Sequence, residues 1–160
     1  MKKDIITLDG YDEIIRIFSK LKKDKEYWVK EKQIAAQQGD RSENAEYISA
    51  KENIRNIDKQ LYRIDFILNK TTAVDISKRN NKSKILFGSV VNVLKIDKNN
   101  NEEELCLKIV GTYELIYIQK ITKCLCISNI SPLGSKLMMK EIGDYININD
   151  FEYEILNIEN

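Results

Sequence analysis

The spacing of apolar positions changes period once along the chain, and that change divides it in two. From Asp9 to Gln38 there is no proline, and Tyr11, Ile14, Phe18, Leu21, Trp28 and Ala35 recur at steps of three and four or their sums. That is the spacing of one face of an α-helix. Lys25 and Lys32 fall on the same stripe, so its seam is imperfect toward the distal end. Thr7 or Asp9 can cap this helix and Gly39 can stop it. A second pattern is cleaner: Tyr47, Ala50, Ile54, Ile57, Leu61, Ile64 and Leu68 alternate steps of three and four, a heptad seam. Each helix has one apolar stripe to bury, which predicts an antiparallel hairpin. About 30 residues at about 1.5 Å each would make a rod about 45 Å long.

After the polar stretch 77–83 the period becomes two. Ile85-Leu86-Phe87 leads to Gly88, and Val90–Leu94 reads as a strand with Glu104–Val110 as its hairpin partner across the turn at 98–102. Further strands are expected at Leu115–Ile118, Lys123–Ile127, Tyr145–Ile148 and Tyr153–Ile158, with Asn149-Asp150 turning the last pair. Ser131 followed by Pro132 opens one short helix, Leu133, Leu137 and Met138 give it an apolar face, and Gly143 follows its end. The expected fold class is therefore α+β. Residues 1–76 form an antiparallel two-helix coiled-coil finger, 77–83 a linker, and 84–160 a domain with a mostly antiparallel sheet and one covering helix.

Composition narrows the function classes. Hydrophobic residues make up 42% and there is a single proline, which argues for a folded chain and against disorder. A formal charge of +1 argues against a generic polyanion binder. Locally, though, Arg16 to Lys32 carries seven basic residues against three acidic ones, a charge of +4. A solvated helix face explains such a run, and so does a flank that attracts a nucleic-acid backbone. No window approaches the roughly 18 apolar residues that would span a membrane. The basic start Met1-Lys2-Lys3 leads into no apolar run of signal-peptide length, so a cytoplasmic location without membrane contact is expected.

Histidine is absent, which removes Ser-His, Cys-His and His-metal chemistry and leaves carboxylates or lysines. The three cysteines, Cys106, Cys124 and Cys126, do not suffice for a closed structural zinc site and are expected to be reduced thiols on strands.

Candidate chemistry concentrates in Gly39-Asp40-Arg41-Ser42-Glu43-Asn44-Ala45-Glu46-Tyr47, between the helical patterns. Asp40 as N-cap with Glu43 three residues on would make a capping box. Glu46 is more acid than a cap requires. Hard cations such as Mg²⁺ are held by one or two carboxylates with waters and substrate oxygens, so exposed acids at the tip of a rod could complete a partner's site. Spacing alone leaves both readings open.

The 39–47 segment resembles the tip motif of the bacterial Gre transcript-cleavage factors, and the resemblance runs along the whole chain. Thr7-Leu8-Asp9-Gly10 is similar to the family's opening, Phe87-Gly88-Ser89-Val90-Val91 to the first strand of its C-terminal domain, and Ile109-Val110-Gly111 to a later strand. Ile130-Ser131-Pro132-Leu133-Gly134 through Lys140-Glu141-Ile142-Gly143-Asp144 is similar to its helix. Arg41-Ser42 and Met139-Lys140-Glu141 look more like the GreB branch than GreA. At Asn149-Asp150 the chain departs from the Pro-x-Gly turn of many members.

The resemblance implies a coiled-coil finger and an FKBP-like C-terminal domain, with no prolyl isomerase activity following from the fold. It further implies a monomer that docks at the rim of the RNA polymerase secondary channel through the loop matching Ser131 and Pro132. Asp40 and Glu43 correspond to the family's paired tip acids, which share a Mg²⁺ with the polymerase and promote hydrolysis of backtracked RNA. The polymerase is the enzyme, and no cofactor is expected on the free factor. Arg41, Lys22, Lys23, Lys30 and Lys32 are candidate contacts to RNA or polymerase. A channel regulator without cleavage activity is the alternative, and a coiled-coil adaptor with a merely capped turn is a third reading.

Overall fold

The computed structural model describes residues 3–160; Met1 and Lys2 of the basic start lie outside them. Contacts group Ile14–Lys70 as one unit, and the residues up to Glu13 together with Thr71–Asn160 as the other.

The helical unit is the expected hairpin, α1 (Leu8–Ala36) followed by α2 (Ala45–Lys70). Ile14, Leu21 and Ala35 are buried along α1, with Trp28 half-buried on the same seven-residue spacing, and Ala50, Ile57 and Ile64 are buried along α2. The antiparallel pairing is fixed by contacts that run in opposite chain directions. Lys25 Nζ reaches Asp58 Oδ1 at 2.6 Å, and Lys32 Nζ lies over the Tyr47 ring at 5.8 Å. The two lysines that interrupt the stripe thus keep their charges paired or stacked at the seam's edge while their stems cover it. Ile67, which the strict heptad omits, is also buried.

The second unit opens with two strands that no apolar pattern announces. β1 (Asp4–Thr7) and β2 (Thr71–Val74) pair in parallel, Asp4 opposite Thr71 through Thr7 opposite Val74. The main sheet has five strands: β3 (Val90–Ile96), β4 (Glu102–Val110), β5 (Leu125–Ser128), β6 (Tyr145–Ile148) and β7 (Phe151–Glu159), in the order β5-β4-β3-β7-β6. All neighbours are antiparallel except β4 and β5.

Strand alternation sends Val91, Val93, Leu107, Ile109, Tyr153 and Ile155 to one face, where Leu137 of the helix Pro132–Leu137 closes the core. Each fully buried aliphatic here contributes about 1.5–3 kcal/mol. Val110, on the opposite face of β4, joins Ile118 and Cys126 in a smaller cluster. The segment 77–83 is tied down as well: the Arg79 guanidinium donates to the Phe87 carbonyl, and Asn160 Nδ2 donates to the Asn81 and Lys84 carbonyls at 2.9 and 3.0 Å. Among the described residues no helix is long and apolar enough to cross a membrane.

Three expectations change. Leu115–Ile118 is not a strand but a one-turn helix, α3, and the helix at Pro132–Leu137 becomes α4. A four-residue apolar run carries no period that separates helix from strand, and the choice is made by Glu114, whose carbonyl accepts from the Tyr117 and Ile118 amides at 2.9 and 3.0 Å. α4 itself ends at Leu137, well before Gly143: Met138 leaves helical geometry at a ψ of 135°, and Met139 follows at a positive φ of 67°. The cysteines are not all reduced thiols: Cys106 and Cys124 form a disulfide, and only Cys126 is free. The parallel register that sets Leu107 opposite Leu125 brings the preceding residues to a Cα separation of 4.8 Å, a long-range coincidence that counting cysteines does not show.

Glu114 is completely buried and binds this unit together. Its Oε1 accepts the Thr7 and Gly111 amides at 2.9 and 2.7 Å, and Oε2 accepts the Thr7 amide at 3.0 Å and the Thr7 hydroxyl at 2.6 Å. The Thr7 hydroxyl oxygen in turn caps α1, accepting the Gly10 amide at 3.1 Å. Side chains are excluded here: a Cβ on Gly10 would lie 1.7 Å from Glu114 Oε2, and one on Gly111 2.1 Å from the Ile5 carbonyl oxygen.

Burial pushes the Glu114 carboxyl up from the ordinary carboxylate range, against the pull of the Thr7 and Gly111 donors. Glu114→Gln sets an NH₂ group among those donors and should cost about 1–3 kcal/mol. A raised native pKa means the folded chain holds the proton more tightly than the unfolded chain. The contribution of Glu114 is then full at acid pH and lost as pH rises through the native pKa. Urea unfolding across pH should show the wild-type advantage over Glu114→Gln shrinking as pH rises; an advantage that grows would contradict this.

Candidate functional site at the hairpin tip

The reversal between α1 and α2 is built from short polar contacts. The last turn of α1 tightens, with the Gln37 and Gln38 amides donating to the Ile34 and Ala35 carbonyls, and Gly39 continues at a φ of 127°. Such a positive φ favours glycine. Asp40 then closes an Asx turn, its Oδ1 accepting the Ser42 amide at 3.0 Å and the Ser42 hydroxyl at 2.8 Å.

The residue that caps α2 is Asn44. Its Oδ1 accepts the Tyr47 amide at 3.0 Å, and its Nδ2 donates across to the Ala35 carbonyl at 2.8 Å. One amide side chain therefore satisfies a donor at the start of one helix and an acceptor at the end of the other. The capping-box assignment of Asp40 and Glu43 is corrected by this geometry, because Asp40 lies too far ahead of Ala45, where α2 begins. Both acids are exposed, as are Arg41 and Glu46. The Ser42 amide and hydroxyl hold the Asp40 carboxyl below the usual carboxylate range, so it is ionised at neutral pH.

Could these residues hold a hard cation? Carboxylate oxygens are the right donors, and Ser42 engages only Oδ1 of Asp40. Among the described residues no three acidic or sulfur side chains converge as a metal site. Asp40 and Glu43 are exposed oxygen donors of the kind a hard cation takes, and by themselves they are too few to enclose one.

The basic candidates divide. Lys22 and Lys30 line one open groove together with Lys25, the acidic Glu26 and, from α2, Leu61, whereas Lys23 and Lys32 stand outside it. Lys22 Nζ sits over the Phe18 ring at 4.4 Å. In the other unit, Ser131 is the N-cap of α4: its Oγ accepts the Gly134 amide at 3.0 Å and donates to the Ser128 carbonyl at 2.7 Å. Pro132 occupies the first helical turn, and Ile130 before it is 74% exposed.

Sequence reasoning missed two residues in particular. Asn44 stood inside the tip motif, directly before the second seam, as a ready cap. Glu114 had no local signal, but the Gly10 and Gly111 that the resemblance picked out are the two glycines that crowd its carboxylate.

Comparison with known proteins agrees with this architecture. Residues 4–72 match the family model described as "Transcription elongation factor, N-terminal", and residues 80–160 the one described as "Transcription elongation factor, GreA/GreB, C-term". The chain belongs to the GreA/GreB family of transcription elongation factors. It is 34% identical to transcription elongation factor GreA of a Nitratiruptor species over 161 residues, covering 98% of this chain and 93% of the relative. The GreA of Lachnoclostridium phytofermentans is 34% identical over 163 residues, covering 99% and 96%. Among solved structures, the GreA factor homolog Gfh1 of Thermus thermophilus aligns over 99% of this chain and 100% of that chain, with 18% identity and a TM-score of 0.44. Both relatives carry the GreA name, so the GreB-like residues at 41–42 and 139–141 find no counterpart in that naming.

The tip geometry separates structure from chemistry in a measurable way. Asn44→Ala should lower stability by about 1 kcal/mol through loss of the cap and its bridge. Asp40→Asn should stay within about 0.5 kcal/mol of wild type. Chemical denaturation of the two variants checks both, and the reverse ranking would restore Asp40 as the cap.

Proposed function

We propose that this chain is a transcript-cleavage factor that acts on RNA polymerase in the cytoplasm. Its docking loop around Ser131 and Pro132 engages the rim of the secondary channel, and the hairpin enters the channel tip first. The observation that carries this reading is that Asp40 and Glu43 are exposed at the reversal with no capping role, which Asn44 fills.

In the complex, Asp40 and Glu43 would hold a Mg²⁺ together with the polymerase's own carboxylates. Such an ion supplies Lewis-acid activation of water for attack on a phosphodiester. The chain's part is positional and electrostatic. Ser42 fixes the Asp40 carboxylate in one orientation and keeps it ionised, and Asn44 locks the two helix ends so that the acids arrive as a pre-set pair. The tip is half a site, and hydrolysis of the backtracked RNA near its 3′ end belongs to the polymerase. Lys22, Lys23, Lys30, Lys32 and Arg41 supply positive charge toward the transcript, and the factor works as a monomer.

Cleavage on a stalled, backtracked complex is the test. Asp40→Asn and Glu43→Gln should each lose about 10- to 100-fold or more of stimulated cleavage, with polymerase binding retained. Full stimulation by both variants would overturn the mechanism and favour a channel regulator, and absence of polymerase binding would favour an adaptor. Removing charge at Lys22 or Lys30 should weaken binding to backtracked complexes and flatten its dependence on salt.

A further inference from the structure

The bridge between Cys106 and Cys124 lies outside everything that the tip and docking loop require. Cys106 is on β4, Cys124 stands directly before β5, and both are half-buried. The 18-residue separation between them holds Gly111, Glu114, α3 and Gln119. This segment has little to stand on by itself. α3 is a single turn, too short to persist without tertiary contacts. β5 is an edge strand with four paired residues, all to β4. What holds the segment is Ile118 against Val110 and Cys126, and Gln119, which accepts the Cys126 amide at 2.7 Å and donates to the Cys124 carbonyl at 3.1 Å. Ile118 and Glu114 reach Val110 and Gly111 on the β4 side while Gln119 reaches the β5 side, so the segment straddles the β4–β5 pairing, and the disulfide ties that pairing at its open end.

We propose that Cys106 and Cys124 are a reversible thiol–disulfide modification site whose state sets how firmly Glu114 holds Thr7 and, through Thr7, the start of α1. The exchange partner is a small-molecule disulfide in one direction and a small-molecule thiol in the other. One cysteine thiolate attacks the small disulfide, forming a mixed disulfide and expelling one thiolate. The second cysteine thiolate attacks the protein sulfur of that mixed disulfide, closing the bridge and expelling the other. Two electrons pass from the protein to the small disulfide, and the two protons given up by the cysteines end on the two released thiols. Cys126 takes no part: it is 5% exposed, and burial pushes its thiol up, away from the reactive thiolate. Pairing is selected by register, since only Cys106 and Cys124 face each other across β4 and the entry to β5. Closing a loop of this length restricts the open states of the segment that carries Glu114.

The experiment titrates the full chain with oxidised and reduced glutathione, maps the bridges by alkylation and peptide mass, and follows amide hydrogen exchange in both states. A single two-electron transition is expected, giving the Cys106–Cys124 bridge with Cys126 free throughout. On reduction, the Thr7 and Gly111 amides, which donate to Glu114, should exchange about tenfold faster or more, while Ile57 and Ile64 in the hairpin stay unchanged. Cys106→Ser with Cys124→Ser should sit at the reduced exchange level and ignore oxidised glutathione. Reduced wild type gives the same reading without any substitution. Three free thiols at every glutathione ratio, a bridge to Cys126, or a bridge that leaves Thr7 and Gly111 exchange unaltered would each overturn the proposal. No polymerase enters the measurement, so its failure would leave the cleavage reading standing.

Discussion

One buried carboxylate joins chain segments that are more than a hundred residues apart. Glu114 has no exposure and receives donors from Thr7 and Gly111 only because two glycines leave room for it. Leaving Thr7 and Gly111 without their acceptor would strand buried donors, and such donors cost more than a typical hydrogen bond contributes. The constraint is therefore mutual. Strand β1, the cap of α1 and the loop after β4 each lose a partner if any one of them moves. A carboxylate presents two acceptor oxygens and both are used here, where an amide or a hydroxyl in its place would present one.

At the other end of the hairpin the same chemistry is arranged for the opposite purpose. Asn44 handles the backbone groups of both helices, so Asp40 and Glu43 are left with their charge in water. An amide is suited to the structural role because it both donates and accepts, and carboxylates are suited to a cation because they only accept. In the proposed reading the chain brings a rigid, charged tip to a partner that owns the chemistry.

Legibility of these features in the sequence followed the range of the forces involved. The helices showed plainly because seven-residue spacing is a local signal repeated several times. β3, β4, β6 and β7 showed because alternation and turn residues such as Asn100 and Asn149, both at positive φ, are local too. Leu115–Ile118 failed because four apolar residues carry no period, and the turn there starts at Glu114, whose side chain is held by the distant Thr7. β1 and β2 failed because they are four residues each and pair across the more than sixty residues of both helices and their turn. The tip acids were proposed from residue type and motif, and the cap was assigned four residues too early, since Asp, Ser and Asn all cap well and spacing did not rank them. The disulfide depended on strand register, which composition does not contain.

Gln119 has a consequence of another kind. In a parallel sheet, a residue on one strand bonds the amide and the carbonyl of two alternate residues on its neighbour. The side-chain amide of Gln119 does this to the Cys126 amide on β5 and to the carbonyl of Cys124 directly before it, groups that would otherwise greet an incoming strand. It is a surrogate strand one residue long. At the far edge of the sheet, Lys136 Nζ donates to the Asn147 carbonyl of β6 at 2.7 Å, setting a charge on that border. Unpaired strand edges invite other chains to add on, and a positive charge or an occupied hydrogen-bonding row discourages them. Each border of the sheet thus carries one side chain that occupies or charges part of its outer row, which discourages a second copy of the chain from adding a strand there.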